Sequence, residues 1–496
     1  MNKKSDKKYR PVLILELLHT FSEKELEDLS AVVGCRYFNT DKYVVTLLKS
    51  LTTHVLTQAK DESIQFDDAM RCAVYKDVFS EKKRAKDALN PGEYNFLKAK
   101  MNTLARITEQ YLCNEVMKTD KAFKTKALYQ KLLDKRQNYL LNRHITRDQK
   151  LLEEMQARGV DYYDFQFEVE SGVLHKLFRD EEIGTGDNLP EVNESLDLYY
   201  LLNKLKLHLT AVSFMSSLAT KQYDFSSIEA LSDLLKLQPY AEHPLVQVYQ
   251  TAIELLKKNH DSVYEQFSRQ LFTHAEAIPR EDLKGLYVVA TIFCAKQIKM
   301  GQPMYKQLFE LHHAMDIQNL LSEGNFIELR KLKNVLGVAR RVGESEWALK
   351  ILKKYTPMLK KAFRESVYHF HCGLIAFDKK NYNKAISHLA KVDKINDVYD
   401  INGRIMFLKA HYETDTEYDE RTVRILLQSE KFIKNRKNLI VNDKKAYKNF
   451  IRILINIYNT RYGVGKMTKE KIKRKLEKFE FVSDKKWLEE KISELE

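Results

Sequence analysis

The residues that could do chemistry in this chain are few, and none stands in a catalytic pattern. Gly463-Val464-Gly465-Lys466-Met467-Thr468 comes closest to a phosphate-binding loop, where backbone amides and a lysine surround a nucleotide's phosphates. That loop requires G-x-x-x-x-G-K-[ST]. Here Thr460 stands five positions before Gly465, and Lys466 is followed by Met467, so no nucleotide site is expected. The 14 histidines include His312-His313 and the pair His369 and His371, with no H-E-x-x-H and no cysteine at ligand spacing. Helical residues two apart point in different directions, so His369 and His371 do not chelate together. The acidic run Glu413, Asp415, Glu417, Asp419 and Glu420 lacks the central glycine of a calcium loop and reads as a solvated turn between helices. The five cysteines (Cys35, Cys72, Cys113, Cys294 and Cys372) are odd in number and scattered, with no C-x-x-C. They make neither a disulfide framework nor a zinc knuckle and fit a reducing compartment. No G-x-S-x-G nucleophile turn occurs. The sequence therefore predicts no catalytic residue, no metal ligand and no cofactor, and a protein that acts by binding.

The elements that would hold a binding surface are helices. The 496 residues contain 15 Gly and 8 Pro, well below the average usage of about 7% and 5%. Tight-turned strands consume both residues, whereas helix interiors exclude both. At the N-terminal end, 12–58 reads as three helices. Ser22 and Glu25 have capping-box spacing, and Leu26, Leu29, Val32 and Val33 follow at helical spacing up to a stop at Gly34. A helix is predicted over 66–79. Asn90-Pro91-Gly92 then opens a long one to about Lys118, and a second long basic helix is predicted over about 121–142. In the acidic stretch that follows, a helix is expected around 162–179. The looser 183–195, with two glycines and Pro190, reads as a linker. From there helical segments of 12 to 20 residues alternate with short breaks to about Thr460.

Charge is unevenly spread within a net of +14. Residues 153–197 hold 13 Asp/Glu against 3 Lys/Arg, whereas 431–480 hold 16 Lys/Arg against 4 Asp/Glu. One reading of the basic end is a phosphate-tracking surface, with KNRKN (434–438), KKAYK (444–448) and KEKIKRKLEKF (469–479) as contacts and Tyr447 and Tyr458 as stacking faces. The favoured reading is a capping unit: Ile451, Ile453, Leu454, Ile457 and Tyr458 face inward, and the lysines keep its outer face wet. The opening MNKKSDKKYR reads as a basic tail (1–11) running into the first helix, because PVLILELL carries Glu16 and reaches no small-residue cleavage site. No apolar run approaches the roughly 18 to 20 residues that span a bilayer. A cytoplasmic protein without membrane contact is expected.

A repeat signal gives the architecture. Gly373, Tyr382, Ala385 and Leu389 stand at offsets 0, 9, 12 and 16. Small residues in two consecutive helices let them approach closely, while the aromatic and leucine side chains fill the groove beside them. One unit earlier Gly337 and Ala348 hold related positions, and one unit later Gly403 does. The pattern resembles the tetratricopeptide repeat, a helix–turn–helix unit of about 34 residues, although its consensus tryptophan and proline are missing from 366–399. The order of FSEKEL (21–26), CRYFN (35–39), VYKDVF (74–79), EYNFLKAKMNTLARITEQYL (93–112), SLDLYYLLNKLKL (195–207) and the repeat around Gly373 resembles an uncharacterised bacterial family of tetratricopeptide-like proteins. That resemblance implies a fold and no activity.

The expected architecture is all-α: an N-terminal helical module over 12–182, the linker 183–195, and a tetratricopeptide-like α-solenoid of stacked helix hairpins over 196–496. In such a solenoid the first helix of each pair lines a concave face, the usual binding surface. Offset counting places Lys333, Arg340, Arg341, His371, Asp378 and Arg404 there. This groove would suit a protein partner of acidic character, with the protein acting as scaffold or adaptor. Nucleic-acid binding through 431–480 is the alternative.

Overall fold

In a computed structural model the described residues are 10–54, 66–79, 88–179, 188–217, 223, 231, 233–237, 239–392, 397–435 and 440–495. Among them are 22 α-helices, four short 3-10 turns and no strand. The chain divides into two units, Met1–Tyr200 and Leu201–Glu496. The N-terminal unit opens with α1 (Arg10–His19), α2 (Glu23–Gly34), α3 (Lys42–His54), α4 (Asp68–Val78) and α5 (Pro91–Thr119). The starts follow local chemistry. Ser22 Oγ accepts the Glu25 amide at 3.3 Å while Glu25 Oε2 accepts the Ser22 amide at 2.7 Å. Asn90 and Glu93 repeat that box, both bonds 2.9 Å, with Pro91 in the first turn, where its missing N–H costs nothing. Leu29, Leu47, Leu51, Leu97 and Leu104 from these helices meet in one buried cluster.

Next come α6 (Lys121–Asp134), α7 (Asn138–Glu154) and α8 (Val160–Arg179). The single helix expected over 121–142 is thus two helices. Arg136 takes a left-handed backbone, φ +55°. The amides of Arg136 and Gln137 return to Leu133 O and Leu132 O, the bond pattern that usually ends a helix at glycine. Buried Asp148 accepts Thr125 Oγ1–H at 3.2 Å and Tyr129 O–H at 3.0 Å and pairs with Arg147 at 2.7 Å. α6 and α8 approach so closely that a Cβ at Gly172 would lie 2.3 Å from the Tyr129 ring.

The division between the units falls within α9 (Leu189–Ser217). This helix starts inside the expected linker, with Pro190 tolerated in its first turn; 183–187 lie outside the described residues. The second unit continues with consecutive helices: α10 (Pro244–Lys258), α11 (Asp261–Thr273), α12 (Arg280–Lys299), α13 (Tyr305–Ile317), α14 (Leu329–Arg341), α15 (Ser345–Tyr355), α16 (Arg364–Asp378), α17 (Tyr382–Leu389), α18 (Asp397–Thr414), α19 (Glu420–Asn435), α20 (Val441–Arg461), α21 (Lys469–Glu477) and α22 (Lys485–Ser493). From α10 on, each helix packs on the next. The first helices of successive pairs also touch at α10–α12, α14–α16 and α16–α18. Contact is weaker between α12 and α14, and likewise between α18 and α20.

Candidate functional site

The opening between α12 and α14 is a cleft of about 870 Å³. Its α12 wall carries Lys284, Val288, Ile292 and Ala295, which share one helix face by their spacing of three and four. Val288 and Ile292 are 42% and 47% exposed, although α12 elsewhere buries Leu286, Tyr287, Ala290 and Phe293 completely or nearly so. The α14 wall carries Lys333, Asn334, Gly337 and Arg341. An added Cβ at Gly337 would meet nothing within 4 Å. Between α13 and α14 the chain makes an irregular connection rather than a tight turn. Asn319 and Gly324 adopt left-handed backbone, Glu323 and Phe326 bridge each other, and Phe326 is left 44% exposed at the cleft.

Positive charge surrounds this apolar surface. Lys284 Nζ pairs with Glu323 at 2.7 Å and so holds that carboxyl below the usual range. Lys331 is half-buried, donates to Leu320 O at 3.1 Å, and has its ammonium pKa lowered by burial and by Lys284. Beneath lies His312, 8% exposed, whose Nδ1 has no hydrogen-bond partner. Burial, reinforced by Lys331, pushes its pKa down to about 4, so the ring is neutral at neutral pH. Arg341 lies over the Tyr305 ring at 4.7 Å, a cation–π contact that leaves guanidinium donors for an anion.

The residues expected to line the groove divide between open surface and packed interior. Lys333 and Arg341 line the cleft. Lys333 Nζ lies 5.7 Å from the Tyr399 ring centroid. Arg340 is committed to Asp378 by a two-pronged ion pair, 2.7 and 3.0 Å. His371, expected to point into the groove, is 1% exposed; its Nε2 is 3.4 Å from the Tyr399 hydroxyl. Burial, with Arg340 and Lys333 adding, pushes its pKa down to about 3. Arg404 is half-buried over the Phe432 ring at 5.0 Å.

Among the small residues, Gly373 sits at a close approach, since a Cβ there would lie 2.6 Å from Leu389 Cγ. Ala348 and Ala385 are fully buried and Leu389 nearly so, while half-buried Tyr382 meets Phe377 edge to face at 5.3 Å. At Gly403 a Cβ would make only ordinary contacts, 3.5 Å to Phe370, so packing there does not demand glycine. Gly337 is a correction: it was expected at a helix–helix approach and instead faces the open cleft.

Lys284, Val288, Ile292, His312, Phe326 and Lys331 were not foreseen. Only the apolar residues on α12 carried a signal, being more numerous than one buried face requires. At the C-terminal end Phe450, Ile451, Ile453, Leu454, Ile457 and Tyr458 are fully buried. Tyr458 donates to Asp415 at 2.6 Å and accepts the Asp419 amide at 3.0 Å, so it offers no stacking face. Tyr447 is half-buried against the same core. Residues 436–438 of KNRKN lie outside the described residues. Near Gly463 the amides of Val464 and Gly465 turn back to Asn459 O, which ends α20 and leaves those donors committed.

His313 packs beside Trp347 at 5.7 Å, and His369 Nδ1 meets His388 Nδ1 at 2.9 Å. Among the described residues no cluster of three or more His, Cys, Asp or Glu is placed to hold a metal ion, and no helix is long and apolar enough to cross a membrane. Compared with known proteins, the chain matches no family model, no curated protein and no solved structure.

Proposed function

We propose that this protein is a non-catalytic scaffold or adaptor of the cytoplasm, whose helix pairs form a tetratricopeptide-like solenoid and hold a protein partner. The observation that carries this reading is the α12–α14 cleft. Apolar side chains that a closed array would bury remain exposed there beside lysines and an arginine. Exposed aliphatic surface next to charge has no use in a stable helix stack by itself, and it marks an interaction site when the partner is apolar in its centre and charged at its rim. The consecutive helix packing and the close approach at Gly373 support the repeat assignment.

The alternative, nucleic acid on the basic C-terminal helices, draws on exposed Lys471, Lys473 and Arg474 of α21 and on Lys478 just after it. An affinity pull-down from native lysate, with and without nuclease, separates the two. A defined protein partner that survives nuclease is the expected result. Nucleic acid in the eluate, with proteins lost on digestion, would transfer the function to α20–α22.

A further inference from the structure

We infer that the α12–α14 cleft seats an acidic amphipathic helix of the partner, its apolar side chains on Val288, Ile292 and Phe326 and its carboxylates on Lys331 and Arg341. The inference rests on the interaction reading above and adds the chemistry of the occupant. Three observations select a helix with carboxylates.

The first is the open packing. α12 and α14 are the first helices of successive pairs, and an open cleft lies between them. A third helix fills such a gap without cost to its backbone, because its N–H and C=O groups are bonded internally. An extended peptide would bring unpaired backbone groups against Val288 and Ile292, which offer no hydrogen bonds. The spacing of Val288, Ile292 and Ala295 presents a ridge that apolar residues at i, i+3, i+4 and i+7 of the incoming helix straddle.

The second is charge. Lys284, Arg330, Lys331, Lys333 and Arg341 line the cleft against Glu323 and Glu328 alone. Glu323, on a side chain 72% exposed, already places one carboxylate on Lys284. The rim therefore accepts carboxylates, and Lys331 and Arg341 offer positions for more. The largely aliphatic floor disfavours nucleic acid, whose bases seek successive aromatic faces: Phe326 is the one phenylalanine of the lining, and Arg341 covers its one tyrosine.

The third is His312, whose buried Nδ1 lacks a partner beside this surface. A buried polar atom without a partner is costly, and a polar side chain of the incoming helix would relieve that cost.

The test is selection from a displayed library of helical peptides on the immobilised full chain. Recovered peptides should join an apolar i, i+3, i+4, i+7 stripe to a flank rich in Asp and Glu. They should lose about tenfold or more in affinity for Lys331→Glu/Arg341→Glu. Gly337→Leu should lose as much; its Cβ has nothing within 4 Å, the longer side chain projects into the cleft, and the variant should melt no lower than the parent. Neutral or basic consensus peptides would overturn the proposal, and so would acidic peptides that bind all variants equally or an empty selection. Dodecanoate serves as a parallel probe. If it raises the melting temperature of the parent but not of Gly337→Leu, and no peptide is selected, the occupant is a small anionic amphiphile instead. A nuclease-resistant protein partner captured despite a failed selection would remove the helix and leave the scaffold.

Discussion

The α12–α14 cleft and the C-terminal helices α20–α22 are both rich in lysine and arginine, yet the apolar surface beneath those residues differs. At the C-terminal end the core is closed. Phe450, Leu454 and Ile457 are fully buried, and many cations around them are tied to the protein itself. Lys491 pairs with Glu413 and Glu494, both at 2.9 Å; Lys409 pairs with Asp484 at 2.8 Å and Arg452 with Glu430 at 2.7 Å. Arg461 donates to Tyr412 O at 3.1 Å and lies over the Tyr412 ring. Around the cleft cations are held by the protein as well, Lys284 by Glu323 and Arg341 by the Tyr305 ring, but they stand beside exposed apolar groups. Positive charge over a sealed core keeps an outer face wet. Positive charge beside an open apolar surface marks where something else belongs.

The largest effect should separate closed core from open surface. Phe450→Ala empties a sealed site and should cost ~3–5 kcal/mol in denaturant unfolding. Val288→Ala removes exposed methyls and should stay within about 0.5 kcal/mol. Equal costs would mean that the cleft is closed in solution.

Two glycines make the same comparison in backbone terms. Gly373→Ala drives a methyl into Leu389 and should destabilise by ~1–3 kcal/mol. Gly337→Ala meets nothing and should stabilise by ~0.5–1 kcal/mol through helix propensity alone. A destabilising Gly337→Ala would show that this face is packed.

Acid should affect both environments through buried histidines. His312 and His371 are held neutral by burial, with pKa values near 4 and near 3, whereas an unfolded histidine titrates near 6.5. Between those limits the unfolded chain binds the extra protons. Stability is therefore full above about pH 6.5 and falls as pH drops towards 4, by at most ~1.4 kcal/mol per pH unit for each ring. Lys331 beside His312, and Arg340 and Lys333 near His371, act in the same direction. His312→Gln should make this slope shallower, as measured by denaturant midpoints across pH; an unchanged slope would show that His312 is accessible to protons in the folded state.

The smallest stability effect should distinguish adjacent arginines. Arg340→Ala breaks the pair with Asp378 and should cost roughly 1 kcal/mol. Arg341→Ala should cost less and instead weaken partner binding. If Arg340 proved the more important for binding, the functional surface would lie on the α14–α16 side.

What the sequence made legible was local. The capping box at Ser22, the helix start at Asn90 with Pro91 in its first turn, the buried face of α20 and the close approach at Gly373 are all written in residues a turn or a hairpin apart. The break at Arg136 was not legible, because a left-handed residue other than glycine or asparagine carries no compositional mark. The burial of His371 was not legible either. Register counting placed it on a first helix, but which side is sealed depends on Tyr399, 28 residues later. The cleft was hidden for the same reason: it lies between two helices about forty-five positions apart, and the surplus apolar residues of α12 do not say what they face. Lys333 and Arg341 were found because they share that helix face with Gly337. Lys284 and Lys331 look like any other exposed lysines.

The central claim is that the cleft, and not the basic C-terminal surface, is where a partner binds. Photo-crosslinking from two single positions, Ile292 in the cleft and Lys473 on α21, tests it directly in native lysate with and without nuclease. The account predicts a discrete, nuclease-resistant protein adduct from position 292 and none from position 473. Adducts from 473 that disappear with nuclease, together with silence at 292, would contradict it.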